Sequence, residues 1–130
     1  MRAIKIEPLV RKVERVVERG FKVARFLPEL LSHYEGPASR LQTLRRLVEM
    51  GFRELYILRL DRRVMRGYVR LHPWPEEVLR VASAFRGMEP SEMDVVRFGG
   101  FYYVGHRGLR LGDERLFARV RGGRPPSFFG

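Results

Sequence analysis

The chain has no cysteine and no asparagine, and only one glutamine (Gln42) and one threonine (Thr43), in 130 residues. Without cysteine, disulfides, thiolate catalysis, zinc-finger sites and iron–sulfur ligation are excluded outright. His33, His72 and His106 are too scattered along the chain to suggest a histidine metal site. The scarcity of labile side chains fits a hot host, and a thermophilic source is expected. Long apolar runs are missing too. A run such as Leu55 to Leu58 falls far short of a membrane span, and Met1 to Val10 lacks the hydrophobic stretch of a signal peptide. A cytoplasmic protein with no membrane partner is the expectation.

Lysine is also scarce. Of the 26 basic residues 23 are arginine, and against 15 carboxylates they leave a formal charge of +11, with a pI near 11.1. A soluble domain needs far less charge to stay dispersed, so the surplus implies a polyanionic partner, nucleic acid (DNA or RNA) first of all. Arginine suits that partner, because its planar guanidinium forks onto phosphate oxygens and stacks on bases, whereas an ammonium is a point charge. Compositional bias in a thermophile is the rival explanation of the same surplus. The charge is also patterned: +5 over residues 1 to 52, +4 over 53 to 72, −3 over 73 to 96 and +5 over 97 to 130. The acidic stretch 73–96 is a candidate docking face for a protein partner.

With 45% apolar and 12% aromatic residues the chain can build a real core. From Ile6, the positions Leu9, Val13, Val16, Val17 and Gly20 recur at helical spacing, with Pro8 in the first turn. The outer face mixes Arg11, Arg15, Arg19 and Lys22 with Glu14 and Glu18, which reads as a solvated face rather than a binding surface. Gly20 marks a break, a second short helix is expected over 21–33, and Ser39 caps a third that Gly51 stops. Leu55 to Leu60 and Val64 to Leu71 read as two strands around Asp61-Arg62-Arg63, a basic hairpin with Arg59, Arg66, Tyr68 and Arg70 on one face and Arg62 and Arg63 at its tip. Three helices and a hairpin follow the order of a winged helix. A fourth helix over 76–86 succeeds Pro73-Trp74-Pro75. Then Met93 to Phe98, the turn Gly99-Gly100, and Phe101 to Val104 read as a second hairpin.

The expected class is α+β: a helical N-terminal part, a central basic β-hairpin and a small C-terminal αβ unit. The expected division is 1–72, 73–121 packed on it, and a flexible basic tail 122–130. The candidate nucleic-acid contacts are Arg59, Arg62, Arg63, Arg66, Tyr68, Arg70, Arg110, Arg119, Arg121 and Arg124, with Tyr68, Tyr102 or Tyr103 available to stack on bases. Gly105-His106-Arg107-Gly108, just beyond a strand, is a candidate anion cradle in which Gly105, His106 and Arg107 hold phosphate. No paired carboxylates and no Ser/His/Asp set point to an enzyme, and no cofactor is required.

Residues 75–121 resemble the ParB/sulfiredoxin fold family. The resemblance rests on Pro75-Glu76-Glu77-Val78-Leu79 as the opening of a helix, Met93-Asp94-Val95-Val96 as a strand, and Gly99 to Arg107 as a second strand and loop, with Leu116 to Val120 closing the sheet. The resemblance implies that Gly105, His106 and Arg107 ligate nucleotide phosphates, with ATP or CTP as the ligand and nucleotide-gated DNA binding or phosphotransfer as the activity. The chain departs from the family in three respects. It has no sulfiredoxin cysteine, no acidic residue directly before Gly105, and Gly108 and Gly112 stand where the family runs a helix. A third possibility is a protein-interaction subunit of a ribonucleoprotein or viral assembly.

Overall fold

The computed structural model describes residues 1–24, 37–70, 73–85 and 90–122. Among the described residues the α-helices and strands follow in the order β1 (Arg2–Lys5), α1 (Ile6–Ala24), α2 (Pro37–Glu49), β2 (Glu54–Ile57), α3 (Arg62–Met65), α4 (Glu76–Ala82), β3 (Met93–Phe98), β4 (Phe101–Leu111) and β5 (Glu114–Arg121), with a 3-10 turn at Pro90–Glu92 before β3. The fold is α+β, and its five strands form a single antiparallel sheet in the order β1-β2-β5-β4-β3.

Period-2 alternation divides each strand between two layers. Leu55, Ile57, Val95, Tyr102, Val104, Leu116 and Ala118 face the helices and pack with Ile6 and Leu9 of α1, Leu44 and Leu47 of α2, and Val78, Val81, Ala84 and Phe85 at α4. The alternate residues Val96, Tyr103 and Phe117 form a smaller cluster on the opposite face with Leu58 and with Val64 of α3. That second face has no long helix over it among the described residues, so its outer aromatics remain partly exposed.

Local chemistry explains the turns that the sequence announces. Gly51 has φ +97°, with its N–H on the Val48 carbonyl and that of Phe52 on the Leu47 carbonyl, a Schellman stop that only an αL-tolerant residue makes at low cost. Gly99 and Gly100 have φ +60° and +79° between Phe98 and Phe101, as a tight hairpin between twisted strands demands.

Several expectations are corrected. The helix expected to break at Gly20 runs on to Ala24; the helix expected over 21–33 otherwise lies outside the described residues, as do Leu71 and His72. The basic hairpin does not form. Asp61 accepts a hydrogen bond from Val64 N–H at 3.0 Å and its carbonyl takes Met65 N–H at 2.9 Å, closing one helical turn where a strand was expected. With that return strand gone, β2 pairs with β1 and β5 instead, and the winged-helix order goes with it. Gly67 to Val69 runs along the outer edge of β3, with Val69 N–H on the Val95 carbonyl at 2.8 Å and Arg97 N–H on the Gly67 carbonyl at 2.7 Å. Strands from the blocks 1–72 and 73–121 share one sheet, the first contributing β1 and β2 and the second β3, β4 and β5. Residues 123–130, including Arg124, lie outside the described residues.

Candidate nucleic-acid interface

Strand order brings the face opposite the helices together. Because β5 lies between β2 and β4, Tyr56 of β2, Arg119 of β5 and Phe101 of β4 become neighbours although they are far apart in sequence. The Arg119 guanidinium carbon is 4.2 Å from the Tyr56 ring centre and 4.4 Å from that of Phe101. Tyr103 lies beneath, its ring centre 6.1 Å from that of Tyr56 and nearly perpendicular to it. Phe98 pairs with Phe101 across the β3–β4 turn and carries the Arg63 guanidinium at 5.4 Å. Arg121 pairs with Phe101 from the β5 side and is exposed. The result is a π-surface of three partly buried rings, Tyr56, Phe98 and Phe101, with Arg119 over two of them, Arg63 over the third and Arg121 paired with Phe101.

Two phenols on this face are hydrogen-bonded to carboxylates. The Tyr56 hydroxyl donates to Glu54 Oε2 at 3.2 Å, and burial, with that carboxylate second, raises the phenol's pKa above its ordinary value. On the same face, toward the start of β3, buried Asp94 accepts from Tyr68 Oη and from Arg115 Nη1 at 2.8 Å, tying β3, β5 and the 67–69 segment together. Burial and then the Asp94 carboxylate push the Tyr68 phenol up to about 12.

The candidate contacts separate into groups. Arg63 and Arg119 lie over rings of the aromatic face, Arg121 pairs with Phe101, and Arg62 is exposed next to Arg63 in α3. Tyr68 is tied to Asp94, with Arg70 over its ring at 6.0 Å. Arg59 is exposed beyond β2, in a groove of about 580 Å³ that Arg2 and Arg115 also line; Arg66 is exposed where α3 ends. Arg110 sits near the β4–β5 turn, bonded to the Arg107 carbonyl. Of the stacking tyrosines named from the sequence, Tyr102 is buried on the helix face and Tyr103 is 1% exposed, whereas Tyr68 is partly buried on the face opposite the helices. Tyr56, Phe98 and Phe101 are the other partly buried rings on that face. The only sequence signal for them is their parity with Arg119 and Arg121 once the strands are registered.

Gly105, His106 and Arg107 lie inside β4, not in a loop beyond it. A Cβ on Gly105 would stand 2.6 Å from the Leu116 carbonyl oxygen, so this glycine serves close strand packing rather than a phosphate turn. His106 is 1% exposed; its Nδ1 accepts from Gly108 N–H at 2.9 Å, which leaves the ring proton on Nε2, 3.3 Å from Glu92. Arg107 reaches the other Glu92 oxygen at 3.7 Å. The acidic stretch is therefore partly neutralised from within, Glu92 by Arg107 and Asp94 by Arg115, while Glu76 and Glu77 stay exposed on α4 and Glu89 lies outside the described residues.

Among the described residues no group of three or more His, Asp or Glu side chains is placed to hold a metal ion, and no helix is long and apolar enough to cross a membrane. Comparison with family models, with curated proteins and with solved structures finds no match to this chain.

Proposed function

We propose that the protein binds single-stranded nucleic acid on the open face of its sheet. The observation that carries this reading is the Arg119 guanidinium held between the Tyr56 and Phe101 rings on a face bordered by further arginines. An aromatic platform accepts the flat face of a base, and arginine offers both a stacking plane and a fork for phosphate. Base faces are accessible only where a strand is unpaired, because in a duplex each is covered by its neighbours. The platform therefore favours single strands and, lacking a set of groove-reading side chains, tolerates many sequences.

Fluorescence anisotropy of labelled oligonucleotides tests the reading. If Arg62, Arg63, Arg119 and Arg121 each neutralise one phosphate, log Kobs should fall against log salt with a slope of about −2.8, which is roughly a 50-fold loss between 50 and 200 mM salt. Single strands should bind more tightly than the matching duplex. Failure to bind single strands at 50 mM salt, or tighter binding of duplex, would overturn the proposal.

A further inference from the structure

The first helix sorts its charges more sharply than a mixed outer face would. At about 100° per residue, Glu7, Glu14 and Glu18 fall on one flank of the buried stripe and Lys12 and Arg19 on the other, with Arg15 on the outer face between them and Arg11 beside the acidic flank, where it lines a groove with Glu7 and Glu14. The acidic flank turns to α2, where Arg45 bonds Glu14 at 3.1 Å. The cationic flank turns away, toward β1 and the tip of the β4–β5 hairpin. There Lys5, Arg11, Lys12 and Arg15 rim a groove of about 410 Å³ floored by apolar side chains such as Leu9 and Leu111. No carboxylate lines this groove, and among the described residues none of its four cations has an ion-pair partner.

Its position relates it to the aromatic face. β1 is the outermost strand, one strand spacing of about 4.8 Å from β2, which carries Tyr56. Lys5 pairs with Glu54 across β1 and β2 and also lines the groove, so it marks the place where the two surfaces meet at the sheet's edge. Glu54 offsets part of the Lys5 charge and Glu7 and Glu14 line a groove with Arg11, leaving Lys12 and Arg15 as the cations beyond the edge that share a groove with no carboxylate.

We infer that a single strand bound on the Tyr56–Arg119–Phe101 platform continues over the β1 edge into the α1 groove, whose cations add phosphate contacts without stacking. This inference rests on the reading of the platform. It makes the binding site longer than the sheet face and gives the α1 cations a function that their sequence pattern alone does not suggest.

The test measures the salt slope for homopolymer strands of about 4 and about 12 nucleotides, lengths that bracket common site sizes, with wild type and a Lys12→Ala/Arg15→Ala double variant. Both positions are exposed, so the variant should melt as wild type does. For the long strand the variant's slope should be shallower by about 1.4, whereas the short strand should give the same slope with both proteins. An unchanged slope at both lengths, or an equal change at both, overturns the extension while leaving the platform standing. Binding of an oligoglutamate peptide that the double variant loses, with no length-dependent change for nucleic acid, overturns it in favour of an acidic protein partner. If wild type binds neither strand, the platform reading fails and the extension with it.

Discussion

Truncating Phe101 to alanine removes one wall of the slot that holds Arg119 and one of the three rings available to a base. Stacking of a base on an aromatic side chain is worth about 1–3 kcal/mol, so Phe101→Ala should weaken single-strand binding roughly 5- to 150-fold. Tyr56→Ala should do the same from the other side, and because both rings contact one guanidinium, the two losses should not add. Arg119 loses a cation–π contact of about 0.5–1 kcal/mol with each ring removed. A double-mutant cycle should therefore show coupling of that size or more between Tyr56 and Phe101. Tyr56→Phe keeps the ring and loses only the hydroxyl bond to Glu54, so it should bind within about twofold of wild type, which separates stacking from hydrogen bonding. The assay is anisotropy titration at fixed salt, with thermal melts to show that each variant is folded. If Tyr56→Ala and Phe101→Ala each bind as tightly as wild type, bases do not stack here and the argument from the platform fails.

Arg115→Met should be the most damaging change on the arginine side of the sheet. It leaves the buried Asp94 carboxylate with only the Tyr68 hydroxyl, a loss of about 3–5 kcal/mol readable in urea denaturation, and adding Asp94→Asn should recover much of it. Gly105→Ala should cost about 1–3 kcal/mol, because the new Cβ meets the Leu116 carbonyl at 2.6 Å in a register that fixes both backbones; an unchanged midpoint would show that the strands can part. Tyr68 gives a pH signature. Its folded pKa of about 12 lies above the ordinary 10.0, so its contribution is complete below pH 10 and is lost as pH rises toward 12. Tyr56, also raised, acts in the same direction. The denaturation midpoint should fall over that window more steeply in wild type than in Tyr68→Phe, and equal profiles would show that the Asp94 contact does not hold the phenol neutral.

Local signals were legible where one residue's chemistry decides the outcome. The amphipathic period of α1, the Gly51 stop and the Gly99-Gly100 turn are all such cases, and each stands in the structure. The failures came where a local pattern supports two outcomes. The alternation around Val64, Met65 and Tyr68 suits a strand, but Asp61 can cap a helical turn, and the cap prevailed. Gly105 and Gly108 read as a loop, yet Gly105 is small because Leu116 and Phe117 press on its strand. β1 spans only Arg2–Lys5, too short for its alternation to register. The platform was the least legible feature. Tyr56, Arg119 and Phe101 meet only because β5 inserts between β2 and β4, a long-range choice that no window of sequence displays. The adjacent tyrosines Tyr102 and Tyr103 illustrate the same limit, since alternation sends them into opposite layers, both of them buried.

The structure also changes what the charge surplus means. Arg2 pairs with Glu114, Arg45 with Glu14, Arg107 with Glu92 and Arg115 with Asp94, so carboxylates are matched to arginines that help hold the fold. Some of the cations without such partners among the described residues gather in two places. Arg63 and Arg119 lie over aromatic rings, Arg121 pairs with Phe101 and Arg62 is next to Arg63 in α3, and Arg11, Lys12 and Arg15 gather at the α1 groove. Compositional drift toward arginine would raise the number of cations without choosing their neighbours. It does not account for guanidinium groups held against partly buried rings on one face. A chain that needed charge only for solubility would disperse these arginines, because gathering like charges costs Coulomb energy that only an opposite partner recovers. Adding excess inorganic polyphosphate should therefore raise the melting temperature of wild type by more than that of an Arg62→Ala/Arg63→Ala/Arg121→Ala variant, and an equal rise in both would show that the anion responds to net charge rather than to this face.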